Sequence, residues 1–209
     1  MAKDLEAKCK KCRRVGEKLF LKGERCNSQK CEIVKRNYPP GMHGQKGRKK
    51  QTDYALQLNE KQKIKKQYGM MEKQFRLVFD RARKQHGNVS ENFIKTLEMR
   101  FDNVIYRAGF ASSRGQARQL VNHGHFIVND KKMDIPSYTV KEGDVIKIKA
   151  SKIDNRYFKT VTDKLKNVEA PGWIHLDKKA HTVKILHRPD MDVSKMSFNA
   201  QMVVEYYSR

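Results

Sequence analysis

The sequence predicts an α+β protein: a cysteine-rich N-terminal knuckle, a helical domain, and an inserted domain of helices packed on a small antiparallel sheet. Three observations predict it. Four cysteines stand as two close pairs, Cys9/Cys12 and Cys26/Cys31, in a segment with little apolar periodicity. Apolar residues then recur at helical spacing from Tyr54 to Ala108. Between His125 and Ala150 they alternate with basic residues in runs of strand length. The pattern divides the chain at 1–45 (knuckle and basic loop), 46–93 (helical, completed by about 187–209) and 94–186, the last with a core at about 98–150.

The balance of charge narrows the function. Among 209 residues, 46 Lys and Arg face 23 Asp and Glu, a net charge of +23. Such an excess repels itself in a compact state, and a polyanion relieves it through phosphate pairing and counterion release. Residues 1–50 alone carry sixteen of the cations and five of the acids. The hydrophobic fraction, 38%, recurs with periodicity and supplies a packed core, so the chain is not wholly disordered. No run approaches the ~20 apolar residues of a membrane span, and no clean amphipathic helix with a lysine face is visible. No membrane partner is expected. The opening MAKDLEAKCK has no apolar leader region and carries acids. The expected compartment is therefore a reducing cytosol, where structural disulfides are rare.

The cysteines read C-x-x-C, thirteen residues, then C-x-x-x-x-C. Two tight turns of this kind deliver four thiolates to one tetrahedral ion. Zinc suits four sulfur ligands, and the surrounding lysines and arginines favour the thiolate form. A metal also supplies folding energy to a segment that lacks a core of its own. The expected cofactor is one structural Zn2+ on Cys9, Cys12, Cys26 and Cys31, with no open position for catalysis. An iron–sulfur cluster accepts the same four ligands, and the spacing also permits disulfides or free thiols. A redox C-x-x-C normally opens a helix of an α/β unit, which this segment lacks.

After the cysteines comes YPPGMHGQKGRKKQ, Tyr38 to Gln51, a loop by its prolines and glycines. Asp53 is the expected N-cap of a helix with Tyr54, Leu58, Ile64 and Tyr68 on one face and Lys61, Lys63, Lys65 and Lys66 on the others. Gly69 interrupts it. A second helix carries Met71, Phe75, Val78, Phe79 and Ala82 and stops at Gly87. A third begins after Ser90 and runs through Phe93, Leu97, Phe101, Val104 and Ile105 to Ala108. These stripes read as core. Ser113 to Gln116 fits the S-x-x-Q capping box, opening a short helix that buries Ala117, Leu120 and Val121. That helix leaves Arg114 and Arg118 one turn apart on its exposed side and ends at His123–Gly124. Strands follow at HFIVN, YTV and VIKIKA, with turns at Asp130–Lys132 and Lys141–Asp144. Beyond Ser151 the pattern weakens. YFKTVTDKLKNV fits strand or helix, while GWIHLD, HTVKILH and MVVEYYS read as short strands.

In order along the chain, EKLFLKGERC, RNYPPGMHG, DYALQLNEKQKIKKQYGMMEKQF, LEMRFDNVIYRAGFASSRGQARQLVNHGHFIVN and the terminal EYYSR resemble the bacterial small-subunit ribosomal protein S4 family. The likeness is strongest from Asp53 to Lys149 and weakest from Lys152 to Asn199, and the cysteines correspond to the zinc-bearing form. The resemblance implies a structural constituent of the small ribosomal subunit with no catalytic role. It implies direct binding to the 5′ domain of 16S rRNA, nucleation of subunit assembly and support of translational accuracy. The neighbours it implies are ribosomal protein S5, other small-subunit proteins, and messenger RNA near its path into the subunit. From Glu98 to about Lys149 it implies the S4-type RNA-binding domain.

Within that domain, Arg107, Ser113, Arg114, Arg118, Gln119, His123 and His125 are the expected RNA contacts, extended by Lys131 and Lys132. The N-terminus of the Ser113 helix offers N–H groups to phosphate, and a rigid basic surface suffices to read folded RNA by shape. Asp102 and Asn103 read as local structural residues. Elsewhere, Arg36, Tyr38, His43, Gln45, Lys46, Arg48, Lys49 and Lys50 are expected to thread against RNA. Tyr54, Gln57, Lys61 and Lys65 are expected to line the RNA side of the first long helix. His86, His175, His181 and His187 have no ligand partners at metal spacing. Two rival classes need features the sequence lacks. An RNA-modifying enzyme with the same domain needs a sizeable catalytic domain, and a zinc-dependent DNA regulator needs a recognition helix or dimer seam beside the cysteines. No phosphate-binding loop, nucleophile elbow or convergent carboxylate pair is present, so no enzyme is expected.

Overall fold

Caps, apolar spacing and two-residue turns set the elements of the computed structural model, which describes residues 6–46, 50–165, 167–178, 180–190 and 196–209. The chain divides into two compact units, Met1–Ile94 with Asp192–Arg209, and Lys95–Met191.

The first unit opens with α1 (Lys8–Val15), α2 (Glu24–Asn27) and α3 (Glu32–Lys35). Gly16, at φ 94°, closes α1 by donating its N–H to the Cys12 carbonyl at 2.7 Å. In the following loop Gly44 lies so close to Pro39 that a Cβ would strike the Pro39 carbonyl oxygen. Arg13 holds the same loop, donating to the carbonyls of Tyr38 and Pro39 at 3.0 and 3.3 Å.

Next comes α4 (Asp53–Gln67), whose N-cap is Thr52 rather than Asp53. The Thr52 hydroxyl accepts from the Ala55 N–H at 3.3 Å, and Asp53 instead places its charge in the positive first turn. Ile64 and Tyr68 face the core as expected, but Lys61 and Lys63 are buried with them, 5% and 4% exposed. Each has a carboxylate that makes burial tolerable: Glu72 for Lys61 and Glu17 for Lys63, both at 2.6 Å. From α5 (Glu72–Arg83), Phe75, Val78, Phe79 and Ala82 are buried, while Met71 stays outside at the N-cap and the helix closes at Lys84, before Gly87. Phe93 of α6 (Val89–Glu98) meets Phe75 and Phe79 edge-on at 5.2 and 5.6 Å.

The expected third helix is two helices. The backbone breaks at Met99–Arg100, where Arg100 bridges Thr139 and the Val140 N–H bonds to the Met99 carbonyl at 3.0 Å. Pairing with the YTV segment thus competes with helix continuation and wins, so YTV is a bridge and not a strand. Beyond the break, α7 (Phe101–Arg107) and α8 (Arg114–Asn122) pack on an antiparallel sheet. Its strands are β1 (Phe126–Val128), β2 (Lys131–Lys132), β3 (Val145–Ile148), β4 (Ile174–Asp177) and β5 (Thr182–Ile185), in the order β2-β1-β3-β5-β4. Its first turn is Asn129–Asp130, at φ 47° and 63°, one position earlier than expected. This two-residue left-handed turn lets Lys131 and Lys132 pair with Val128 and Ile127. One face, with Phe126, Val128, Ile146, Ile148, Val183 and Ile185, is core. Between β3 and β4 come α9 (Ala150–Ile153) and α10 (Arg156–Leu165). Apolar positions Phe158, Val161 and Leu165 make YFKTVTDKLKNV a helix, because their spacing puts all three on one buried stripe.

MVVEYYS is also helical, in α11 (Ala200–Tyr207) of the first unit. Two adjacent valines suggested a strand, but Asn199 caps the Gln201 and Met202 N–H groups, and Ala200 and Val203 are buried at helical spacing. Against α4, α11 places Tyr207 near Phe79 (4.7 Å) and Tyr206 near Tyr54 (5.8 Å), while Gln57 donates to Glu205 at 3.0 Å. Glu72 joins this seam, accepting from Lys61, from Lys65 at 2.7 Å and from the Tyr207 hydroxyl at 3.1 Å.

Burial alone pushes the Glu72 carboxyl up, but the hydrogen bonds and charges of Lys61 and Lys65 together outweigh it and bring the pKa down to about 2. Its contribution to stability is therefore complete above the ordinary value of 4.5 and fades as the pH falls towards 2. Melting curves of the wild type and Glu72→Gln should differ most at neutral pH and converge across that window; a constant offset would refute the assignment.

Candidate nucleic-acid interface and thiol site

Buried carboxylates organise the arginines of the second unit. Glu98, at the end of α6, is fully buried and accepts from both Arg107 nitrogens, Nε at 2.9 Å and Nη2 at 2.8 Å. The Asn103 amide donates to the same carboxylate at 2.8 Å and to the Glu98 carbonyl at 2.9 Å. Asn103 in turn accepts from Arg114 Nε at 2.7 Å, and the Arg114 guanidinium lies 4.7 Å from the Tyr106 ring centroid. Beside it, Asp102 binds Arg100 through two contacts at 3.1 and 2.8 Å and Arg118 at 3.5 Å. The expectation of Arg114 and Arg118 on the exposed side of α8 is thus corrected. Their side chains are 11% and 19% exposed because they turn inward to these carboxylates. Arg107, at 31%, reaches solvent furthest of the three.

The capping box forms in a modified way. Ser113 Oγ accepts from the Gln116 N–H at 3.3 Å, but Gln116 reaches back to Ser112, taking its N–H at 2.9 Å and its hydroxyl at 2.8 Å. Gln119 and His123 are exposed on α8 and at its end. Lys132 lies against Gly124, so its side chain joins the end of α8 and pairs with Asp134 at 3.2 Å; Lys131 is exposed beside it. His125 differs. Its Nδ1 is buried without a hydrogen-bond partner among the described residues, and its ring sits 5.5 Å from Phe158 and 6.0 Å from His123. Burial pushes its pKa down, aided by His123 and Lys152, so it offers a neutral ring and not a charge.

In the first unit, Arg36, His43, Gln45, Lys46 and Lys50 are exposed along the loop. Arg48 and Lys49 lie outside the described residues. Tyr38 is half-buried with the Arg13 guanidinium 4.8 Å from its ring centroid, so its stacking partner is internal. Of the expected row on α4, Lys61 and Lys65 are held by Glu72, Lys61 lies 4.9 Å from the Tyr206 ring centroid, and Gln57 donates to Glu205 of α11, while Tyr54, 5.8 Å from Tyr206, stays exposed. Sequence reasoning missed Glu98 as the anchor of the arginines. Its partners stand nine and sixteen residues away, a spacing that no single-helix rule connects.

The four thiols share one cavity. Cys12, Cys26 and Cys31 are buried, Cys9 is half-buried, and none is in a disulfide. Lys8, Leu21, Lys22 and Arg25 are also among its walls, around about 20 Å³, room for roughly one water-sized particle. Sulfur already receives backbone hydrogen bonds: Lys22 N–H donates to Cys26 Sγ at 3.3 Å, and Leu19 N–H to Cys12. Burial pushes the Cys12 thiol up; the Leu19 N–H opposes this, and Cys26, Cys9 and Cys31 add to it. Four soft sulfurs on an ion-sized cavity are a donor set that fits a tetrathiolate metal. As placed, no three His, Cys, Asp or Glu side chains among the described residues are arranged to hold an ion, so the thiols would have to close on it.

Arginines held by buried carboxylates, on helices backed by an antiparallel sheet, define a basic α+β module. Residues 3–98 match the family described as Ribosomal protein S4/S9 N-terminal domain, and residues 99–146 match the S4 domain. The Small ribosomal subunit protein uS4 of Clostridioides difficile is 47% identical over 209 residues, all of both chains. The proteins of that name from Halothermothrix orenii (47% over 201 residues, 96% of both chains) and Desulfotalea psychrophila (46% over 212 residues, 100% of both) are similar. The chain belongs to the ribosomal protein S4 (uS4) family.

Replacing Glu98 by Gln removes the charge that Arg107 and Arg114 share in a fully buried position. A loss of about 3–5 kcal/mol is expected for breaking such a pair from one side. Urea unfolding followed by Trp173, the one tryptophan of the chain and part of the same core, measures it; a change below about 1 kcal/mol would exclude Glu98 as the anchor.

Proposed function

We propose that the protein is a structural constituent of the small ribosomal subunit that binds the 5′ domain of 16S rRNA and nucleates assembly around it. Its family is one of ribosomal proteins and not of enzymes. The observation that carries the reading is the arginine array set by Glu98 and Asp102, inside a chain that matches uS4 proteins along its whole length. Arg107, Arg114 and Arg118 are held before RNA arrives, so binding does not have to order them. Folded RNA is read by shape, phosphate and 2′-hydroxyl, which suits fixed cations better than mobile ones. In this reading the subunit also supplies the neighbours, ribosomal protein S5 and messenger RNA near its path, and a contribution to translational accuracy follows from that position.

Cys9, Cys12, Cys26 and Cys31 would hold one zinc ion, which when bound supplies cross-linking and folding energy rather than chemistry. Bound to one ion, the thiols would tie α1, α2 and α3 together, and the Lys22 N–H already donates to Cys26 Sγ at 3.3 Å. Protein purified under reducing conditions should contain one zinc per chain. Iron in its place, or no metal, would overturn the zinc assignment.

Binding to a 5′-domain fragment of 16S rRNA, to unrelated folded RNA and to duplex DNA, measured across salt concentrations, tests the ribosomal reading. Tighter binding to the 5′ domain at every salt concentration is expected. Equal affinity for all three would refute it.

A further inference from the structure

The proline–glycine loop hangs between two elements that carry thiols. It leaves α3, whose N-cap is Cys31, and Tyr38 follows that cysteine by seven residues. The Cys31 carbonyl accepts from the Val34 and Lys35 N–H groups at 3.1 and 3.2 Å, so α3 is built on the backbone of the cysteine itself. On the other side stands α1, with Cys9 and Cys12 one turn apart and Arg13 directly after Cys12. Among the described residues, the backbone hydrogen bonds of the loop at 38–46 stay inside it. Gly44 N–H donates to the Gly41 carbonyl and Lys46 N–H to the His43 carbonyl, both at 3.1 Å.

Arg13 supplies a connection outward. Its Nε and Nη2 donate to the carbonyls of Tyr38 and Pro39 at 3.0 and 3.3 Å, and its guanidinium lies 4.8 Å from the Tyr38 ring centroid. The Pro39 carbonyl is also the group against which Gly44 is packed, with no room for a Cβ between them. One guanidinium therefore holds the near limb of the loop directly and the far limb through Gly44. That far limb carries His43, Gln45 and Lys46, all exposed.

Arg13 is only as fixed as the helix beneath it. At eight residues, with no side-chain cap at its N-terminus, α1 is below the ~12–15 residues at which an isolated helix is marginal. A ligand that joined α1 to α3 would also fix the donor, Arg13, against its acceptors, Tyr38 and Pro39. The thiols stand where such a ligand would act: Cys9 and Cys12 of α1 share one cavity with Cys31 at the head of α3.

We propose that Arg13 is a positioning residue that couples the thiol site to the proline–glycine loop, so that an ion on the four cysteines orders a segment that supplies none of its ligands. The coupling rests on the zinc reading for its ion, and on the Arg13 contacts for its path.

Hydrogen exchange of the full chain, with zinc and after chelation, tests the coupling in the wild type, Arg13→Met and Arg13→Lys. In the wild type, chelation should speed exchange across residues 38–46 about tenfold, since the loop loses the contacts that hold it. Arg13→Met should keep its zinc and exchange as fast with zinc bound, and chelation should then change its loop by less than about twofold. Arg13→Lys keeps the charge but not the fork of donors and should fall between the two. Exchange in β1, β3 and β5 of the second unit is the internal reference and should not change. If chelation frees the loop of Arg13→Met as much as that of the wild type, the coupling runs by another path and the proposal falls. Zinc-bound Arg13→Met with a loop as protected as the wild type's overturns it as well. Should Arg13→Met lose its zinc, Arg13→Lys decides in its place. Loss of zinc from both variants makes Arg13 part of the knuckle's own fold and overturns the coupling. If the wild type itself holds no metal, the zinc reading fails and the variants still decide the role of Arg13. Faster loop exchange in Arg13→Met then keeps it as the residue that positions the loop, and equal exchange removes it.

Discussion

A chain with 46 cationic side chains against 23 acidic ones must fold against its own repulsion, and its architecture depends on where the carboxylates go. A few of them each hold two cations. Glu98 holds Arg107 and Arg114, Asp102 holds Arg100 and Arg118, and Glu72 holds Lys61 and Lys65. Burial makes the arginine pairs rigid: Glu98 is fully buried and Asp102 is 4% exposed. Such pairs are weak sources of net stability, because desolvation consumes most of the attraction. Their effect is to fix geometry. Without them, the arginines of α7 and α8 would be long, mobile side chains whose ordering would count against every contact they make.

The N-terminal segment meets the same constraint with fewer means. Its helices are short, Leu19 and three cysteines are its buried apolar residues among those described, and cations crowd its surface. A four-residue helix such as α2 or α3 has no intrinsic stability, so something outside the helix must hold it. Arg13 clamps the proline loop and the Lys63–Glu17 pair fastens the segment to α4. A shared metal on the four thiols would complete the set.

Much of this was legible in the sequence, and particular residues show how far. The stripe Phe75, Val78, Phe79 and Ala82 declared its helix, and the alternation in VIKIKA declared β3, because side-chain period follows directly from backbone geometry. Ser113 declared the start of α8 through local capping chemistry. MVVEYYS was misread as a strand, and the run from Phe93 to Ala108 as one helix. In both cases a partner far along the chain decided: α4 for the first, and the backbone around Thr139 for the second. Local propensity is a weak preference that such contacts override.

By itself, then, the sequence determined the class of partner, the class of fold and the residues that carry charge, since composition and periodicity survive without coordinates. It also brought four thiols into one short segment. Only the tertiary structure decided which cations are closed into the fold by a counter-charge and which line an open surface. Lys61 and Lys66 look alike in the run NEKQKIKKQ, yet one is closed off by Glu72 and two tyrosines while the other lines an open cleft beside Arg14 of α1. The reason is physical. A charge takes its role from the burial and the counter-charge around it, and both are set by residues that only the folded chain brings near.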